Sequence, residues 1–131
     1  MFLSALLTIT LALQYADACT CAYPSGSIKQ QVKEAKSKAE AIFSGKVIEI
    51  LRIDGGLRVR VRIAVARVWK GKLAPEVIIY TGGSSGDCGY SFNRGMSYFL
   101  YCDEGQEGEL WASVCTRTRP LKYATRDLRY L

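Results

Sequence analysis

Two cysteines one residue apart, Cys19 and Cys21, follow directly on an apolar run that ends in small residues. That junction constrains the chain more than any other stretch. Residues 2–13, FLSALLTITLAL, are almost wholly apolar, yet too few to cross a bilayer, which takes ~20. Ala16 and Ala18 then form the small-x-small pattern that precedes a signal-peptidase cut. Residues 1–18 therefore read as a signal peptide, and Cys19 as the first residue of a secreted, extracellular chain with a free amine. The rival is a lipidated Cys19, which alone would tie the chain to a membrane. It is disfavoured, because the Leu of a lipoprotein signal is replaced here by Ala16, with Asp17 after it. Export implies an oxidising compartment, so Cys19, Cys21, Cys88, Cys102 and Cys115 read as disulfide partners with one left over. Spacing alone leaves several connectivities open.

In extended chain, residues i and i+2 share a face. Cys19 and Cys21 then point into the body of the protein and Thr20 points out. Two bridges to different parts of the fold would make this segment a stapled ridge with one exposed side chain.

The rest of the chain reads as one domain, residues 19–131. With 49% apolar and 23% charged residues over the whole sequence, it has the composition of a globular core. Residues 27–41 read as a helix: Ser27 can cap it with Gln30 as its partner, and Ile28, Val32, Ala35 and Ala39 share a side. Strands are expected at 42–53, 57–70, 76–81, 96–102 and 109–115, with turn signals such as Asp54-Gly55-Gly56 between them. The clearest is 57–70, where Val59, Val61 and Ile63 alternate with Arg58, Arg60 and Arg62. Past Ile63 the alternation blurs, as in a long strand bent at a bulge. Residues 121–131 read as a short closing helix. The expected class is all-β with flanking helices, a small closed antiparallel sheet.

The leader carries only Asp17, so residues 19–131 hold eighteen basic against eleven acidic side chains, a charge of +7. That excess favours anionic partners, sulfated polysaccharide among them. The row Arg58, Arg60, Arg62 is the candidate anion-binding surface, and a solvated face is the alternative. The sequence has no histidine. Catalytic Ser-His and Cys-His pairs and zinc-His centres are thus excluded from this chain, and no enzyme is expected. The loop 82–87, GGSSGD, fails as a phosphate cradle, because no Lys-Ser/Thr and no helix follow it. It reads either as a surface connection or as a binding loop pinned at Cys88.

The C-x-C start, the F-x-G-K-V strand, the V-W-K-G strand end, G-D-C-G-Y, F-L-Y and S-x-C-x-R-T-R-P-L together resemble the netrin-like domain. Within that group the chain is most similar to the N-terminal domain of the tissue inhibitors of metalloproteinases. The resemblance spans residues 19 to about 130. It implies a five-stranded closed barrel of the OB-fold type, stapled by Cys19–Cys88 and Cys21–Cys115. It also departs from the family: the third N-domain disulfide and the cysteine-rich C-terminal subdomain have no counterpart, and Cys102 is extra, read as a buried thiol. The implied function is metalloproteinase inhibition. Cys19 would ligate the target's zinc through its amine and carbonyl, Thr20 would enter the pocket beside it, and Cys21, Ser85, Gly86, Asp87 and Cys88 would complete the contact. The zinc would be the protease's; the chain needs no cofactor of its own, and a monomer is expected. The alternative is a secreted matrix- or polysaccharide-binding module. Barrels of this type also bind single-stranded nucleic acid, but for an exported chain no nucleic-acid partner is expected.

Overall fold

The computed structural model describes residues 19–22 and 24–131. The expected leader, residues 1–18, lies outside the described residues. What is described is mostly β-sheet with two short helices. Helix α1 (Ile28–Lys38) starts where the sequence asks it to. The Ser27 hydroxyl accepts the Gln30 N–H at 3.2 Å, and Gln30 Oε1 accepts the Ser27 N–H at 2.9 Å. The helix stops three residues short of the expected 41. Ala39 is already extended, and the Glu40 N–H donates to the Cys102 carbonyl at 2.8 Å, so the sheet takes over the chain there.

Six strands follow: β1 (Ala41–Ile53), β2 (Arg58–Lys70), β3 (Glu76–Gly82), β4 (Ser97–Glu104), β5 (Leu110–Trp111) and β6 (Arg119–Pro120). They run in the order β1-β2-β3-β5-β4-β6, and β4 also pairs with β1. Five strands thus close a ring, with β6 outside it on β4. Every pairing is antiparallel except β3 with β5. The strand expected at 109–115 shrinks to Leu110–Trp111. A turn at Ser113–Thr116 diverts the chain before further pairs form. The closing helix reduces to a 3-10 turn (Leu121–Tyr123) and the four-residue α2 (Thr125–Leu128).

The bend in the long hairpin comes from register shifts between β1 and β2. Phe43 pairs Val68 after Ile42 pairs Lys70, and Gly45 pairs Val65 after Ser44 pairs Arg67. Trp69 and Ala66 are left over on β2, which coils it. Gly45 is required at this crossing: a Cβ there would lie 2.5 Å from Ile63 Cγ2 and 2.6 Å from the Ala64 carbonyl oxygen.

β1 and β4 are covered on both faces, and this builds two cores. Phe43, Val47, Val61, Ile63, Ile79, Tyr98 and Leu100 fill the ring. Ile42, Phe99 and Tyr101 face the other way, under Ala39, Trp69, Ala124 and Leu128. Cys102 is a free thiol in the first core, fully buried, and burial pushes its pKa far above the ordinary thiol value. No helix among the described residues is long and apolar enough to cross a membrane.

Candidate functional site

Two disulfides, Cys19–Cys88 and Cys21–Cys115, fix the N-terminal segment to the ring. Cys19 and Cys21 are partly buried while Thr20 and Ala22 are exposed, as the alternation of extended chain requires. Sequence separations of 69 and 94 make both closed loops long. In the chain-entropy account each bridge stabilises by about 4–5 kcal/mol. The bridges fit an oxidising environment.

Cys88 is presented by a tight loop after β3. The Gly89 N–H donates to the Ser84 carbonyl at 3.0 Å, the Cys88 N–H to Ser85 at 3.2 Å and the Asp87 N–H to Ser84 at 3.2 Å. This winding holds Cys88 at φ 58, the left-handed region a cysteine seldom adopts. It also leaves no space for a side chain at Gly89, where a Cβ would meet the Ser84 carbonyl oxygen at 2.9 Å and crowd that of Gly82 still more closely. Beyond the loop, Tyr90 is tied by its N–H to Thr81 Oγ1 at 2.7 Å. Cys115 comes from the diverted segment after β5. The Val114 N–H donates to the Cys88 carbonyl at 3.0 Å, so the segments that carry the two receiving cysteines are hydrogen-bonded to each other through backbone.

Around Cys19 and Cys21 runs a groove whose lining includes Ser85, Gly89, Val114, Thr116, Arg117 and Arg119. Of the residues singled out from sequence, Cys19, Cys21, Cys88, Cys115 and Ser85 are brought together here. Gly86 and Asp87 are exposed at the tip of the same loop, and Thr20 is exposed on the ridge. Val114, 52% exposed, adds an apolar contact point that sequence reading passed over inside an expected strand.

Beneath the groove lies an ionic node that sequence reading also missed. Asp127 is fully buried. Arg117 donates to it through Nε at 2.8 Å and Nη2 at 2.7 Å, and through Nη1 to Gln31 Oε1 at 2.9 Å. The Tyr101 hydroxyl donates to Asp127 Oδ2 at 3.0 Å, and Arg119 stands 3.9 Å from Oδ1. Burial opposes ionisation of Asp127. The Arg117 hydrogen bonds and the two guanidinium charges outweigh it, so its carboxyl lies below the ordinary aspartate value. Burial, and then the neighbouring carboxylate, raise the Tyr101 phenol. The only sequence signal was a lone acid, Asp127, in a terminal stretch rich in arginine.

The arginine row has a different character. Arg58 is ion-paired with Asp54 and lies 5.0 Å over the Tyr80 ring. Arg62 is 3.2 Å from Glu76 and 3.5 Å from Glu49. Two of the three guanidiniums in the candidate anion surface thus face carboxylates of their own fold.

No protein-family model matches this sequence, and no curated protein matches it significantly.

Proposed function

We propose that this chain is a secreted inhibitor of zinc metalloproteinases, an OB-type barrel of the netrin-like kind that acts through its N-terminal cysteine. One observation carries the reading: Cys19-Thr20-Cys21 is a surface ridge clamped at both cysteines, with the intervening side chain exposed. Cleavage after Ala18 is part of the proposal, since it frees the Cys19 amine.

A catalytic zinc in a protease keeps one open position, where the attacking water binds. The amine and carbonyl oxygen of one residue close a five-membered chelate, and their arrival displaces that water. With a pKa of about 7.7–8.0, an α-amine gives up its proton at little cost near neutral pH. Thr20 then projects into the pocket beside the metal, and the loop at Ser85, Gly86, Asp87 and Cys88 lies alongside. The bridges set this geometry before encounter, which lowers the ordering cost of binding. Arg58 and Arg62 already have carboxylate partners, which argues against the polysaccharide-binding alternative at that row.

The test is made on the secreted protein, after N-terminal sequencing has located its first residue. Acetylation of the Cys19 amine, or one added residue before it, is expected to abolish inhibition of a zinc protease without changing the unfolding midpoint. Equal inhibition by the blocked protein would overturn the proposal.

A further inference from the structure

The four bridged sulfurs form one cluster. Sγ of Cys19, Cys21, Cys88 and Cys115 all lie within 4.8 Å of one another. Across the two bridges, Cys115 Sγ is 3.8 Å from Cys19 Sγ and 3.7 Å from Cys88 Sγ. Zinc binds thiolates at about 2.3 Å in a tetrahedron, whose edges are then about 3.8 Å. The two separations from Cys115 Sγ already have that length, the other non-bonded pairs lie within 4.8 Å, and the two bonded pairs would need to spread. Among the described residues no other such cluster occurs, and the remaining cysteine, Cys102, is buried in the ring.

We propose that the reduced chain holds one zinc ion at Cys19, Cys21, Cys88 and Cys115, so that the two disulfides and the metal are alternative staples of the same segment. This goes beyond inhibition and does not rest on it. The site described above would use the amine and carbonyl of Cys19 on a partner's metal, whereas this one uses four side chains on the chain's own.

Four features support the assignment. Four thiolates around a tetrahedral centre are the donor set of structural zinc. The sulfurs are only partly buried, apart from the exposed Cys115, so an ion can reach them. The backbones of Cys88 and Cys115 are held near each other by the Val114 N–H, independently of any S–S bond. The net charge of a zinc tetrathiolate is negative, and none of the residues lining the adjoining groove is a carboxylate that would oppose it. Chemically, each disulfide takes two electrons and two protons from a reductant to give two thiols. The four thiols then release their protons as zinc binds. Reoxidation by a disulfide-forming oxidant removes the ligands pairwise and expels the ion.

The experiment uses the whole protein, reduced without oxygen by a water-soluble phosphine, which leaves as its oxide. Cobalt(II) is added and then displaced by zinc, and bound zinc is counted after desalting. The expected result is one metal per chain, with the thiolate charge-transfer and intense visible bands of tetrahedral sulfur-ligated cobalt. Cys115→Ser should weaken zinc at least ~10-fold, the least that loss of even a supporting group costs. Cys102→Ser should change nothing. If reduction loosens the fold, zinc should restore the β-rich circular dichroism. Pale octahedral cobalt bands, less than one zinc per chain, equal loss in Cys102→Ser, or a reduced chain left unfolded with zinc present would each overturn the proposal. Inhibition by the oxidised protein is measured separately, so either idea can fail alone.

Discussion

Asp127→Asn is the sharpest probe of what holds this fold together. Asp127 is 0% exposed and its partner Arg117 14%, at 2.7 Å. Asparagine keeps the shape and removes the charge, leaving Arg117 and the nearby Arg119 without their counter-ion. Removing one partner of a buried ion pair costs about 3–5 kcal/mol, because the other charge remains buried and uncompensated. A domain of this size has a total stability of about 5–15 kcal/mol. The loss should therefore lower the melting temperature by about 12–20 °C, at ~4 °C per kcal/mol. Urea unfolding followed by fluorescence provides the assay. Trp69 reports on it directly, since its ring packs against Phe99 at 5.2 Å in the core beneath the helices. The pH dependence adds a second check. The folded-state pKa of Asp127 is depressed. Its contribution is thus fully present above the unfolded value of ~3.9 and lost as pH falls through the folded one. The gap between parent and variant should narrow below about pH 4. Replacing both partners, Asp127→Leu with Arg117→Met, should recover much of the loss, since apolar pairs of similar volume are tolerated where half a pair is not. A cost under ~1 kcal/mol for Asp127→Asn, or no recovery in the double variant, would refute the assignment of a buried, energetically coupled pair.

Two further outcomes are expected. On the proposed function, Thr20→Gly should raise inhibition constants against proteases with a deep pocket beside the zinc; constants unaltered across a protease panel would remove Thr20 from the contact. Gly45→Val should cost about 1–3 kcal/mol as the β1–β2 crossing is forced apart, because even a Cβ there meets Ile63 and the Ala64 carbonyl at 2.5 and 2.6 Å; a urea midpoint equal to that of the parent would show that the crossing can open.

Much of the fold is legible in the sequence because its signals are local. The Ser27–Gln30 cap fixes where α1 begins. The Arg-Val alternation of β2 sends Val61 and Ile63 to full burial and leaves Arg60 and Arg62 facing outward. The illegible parts depend on partners distant in sequence. ELWASVC alternates like a strand, yet only Leu110 and Trp111 find one to pair with. β6 is two residues long and ends in proline, so no periodicity announces it. The exit from α1 is decided by a hydrogen bond from Glu40 to Cys102, 62 positions along the chain. At the site, the C-x-C alternation is enough to put Thr20 outside. Asp127 sits in a stretch that looks solvated, and what buries it is Tyr101 and Arg117, supplied from elsewhere.

These non-local ties converge on one short segment, residues 113–119. Cys115 bridges it to the N-terminal ridge, and the Val114 N–H bonds it to the loop at Cys88. Thr118 Oγ1 accepts the Tyr101 N–H at 3.1 Å, so a side chain continues the β4–β6 ladder past its last backbone pair. Arg117 reaches α1 through Gln31 and α2 through Asp127. The segment has almost no regular structure of its own, so its conformation is set by these attachments and not by its sequence. Rigidity of the Cys19–Cys21 ridge is then inherited: each cysteine is only as fixed as the backbone that receives it. Loosening the ionic node should therefore free Cys115 before it frees Cys88, whose own loop is closed by three backbone hydrogen bonds. Native-state hydrogen exchange on Asp127→Asn would register this as faster exchange at the Cys115 and Thr116 amides than at Cys88 and Gly89. The reverse order would mean that the bridges, not the node, hold the segment.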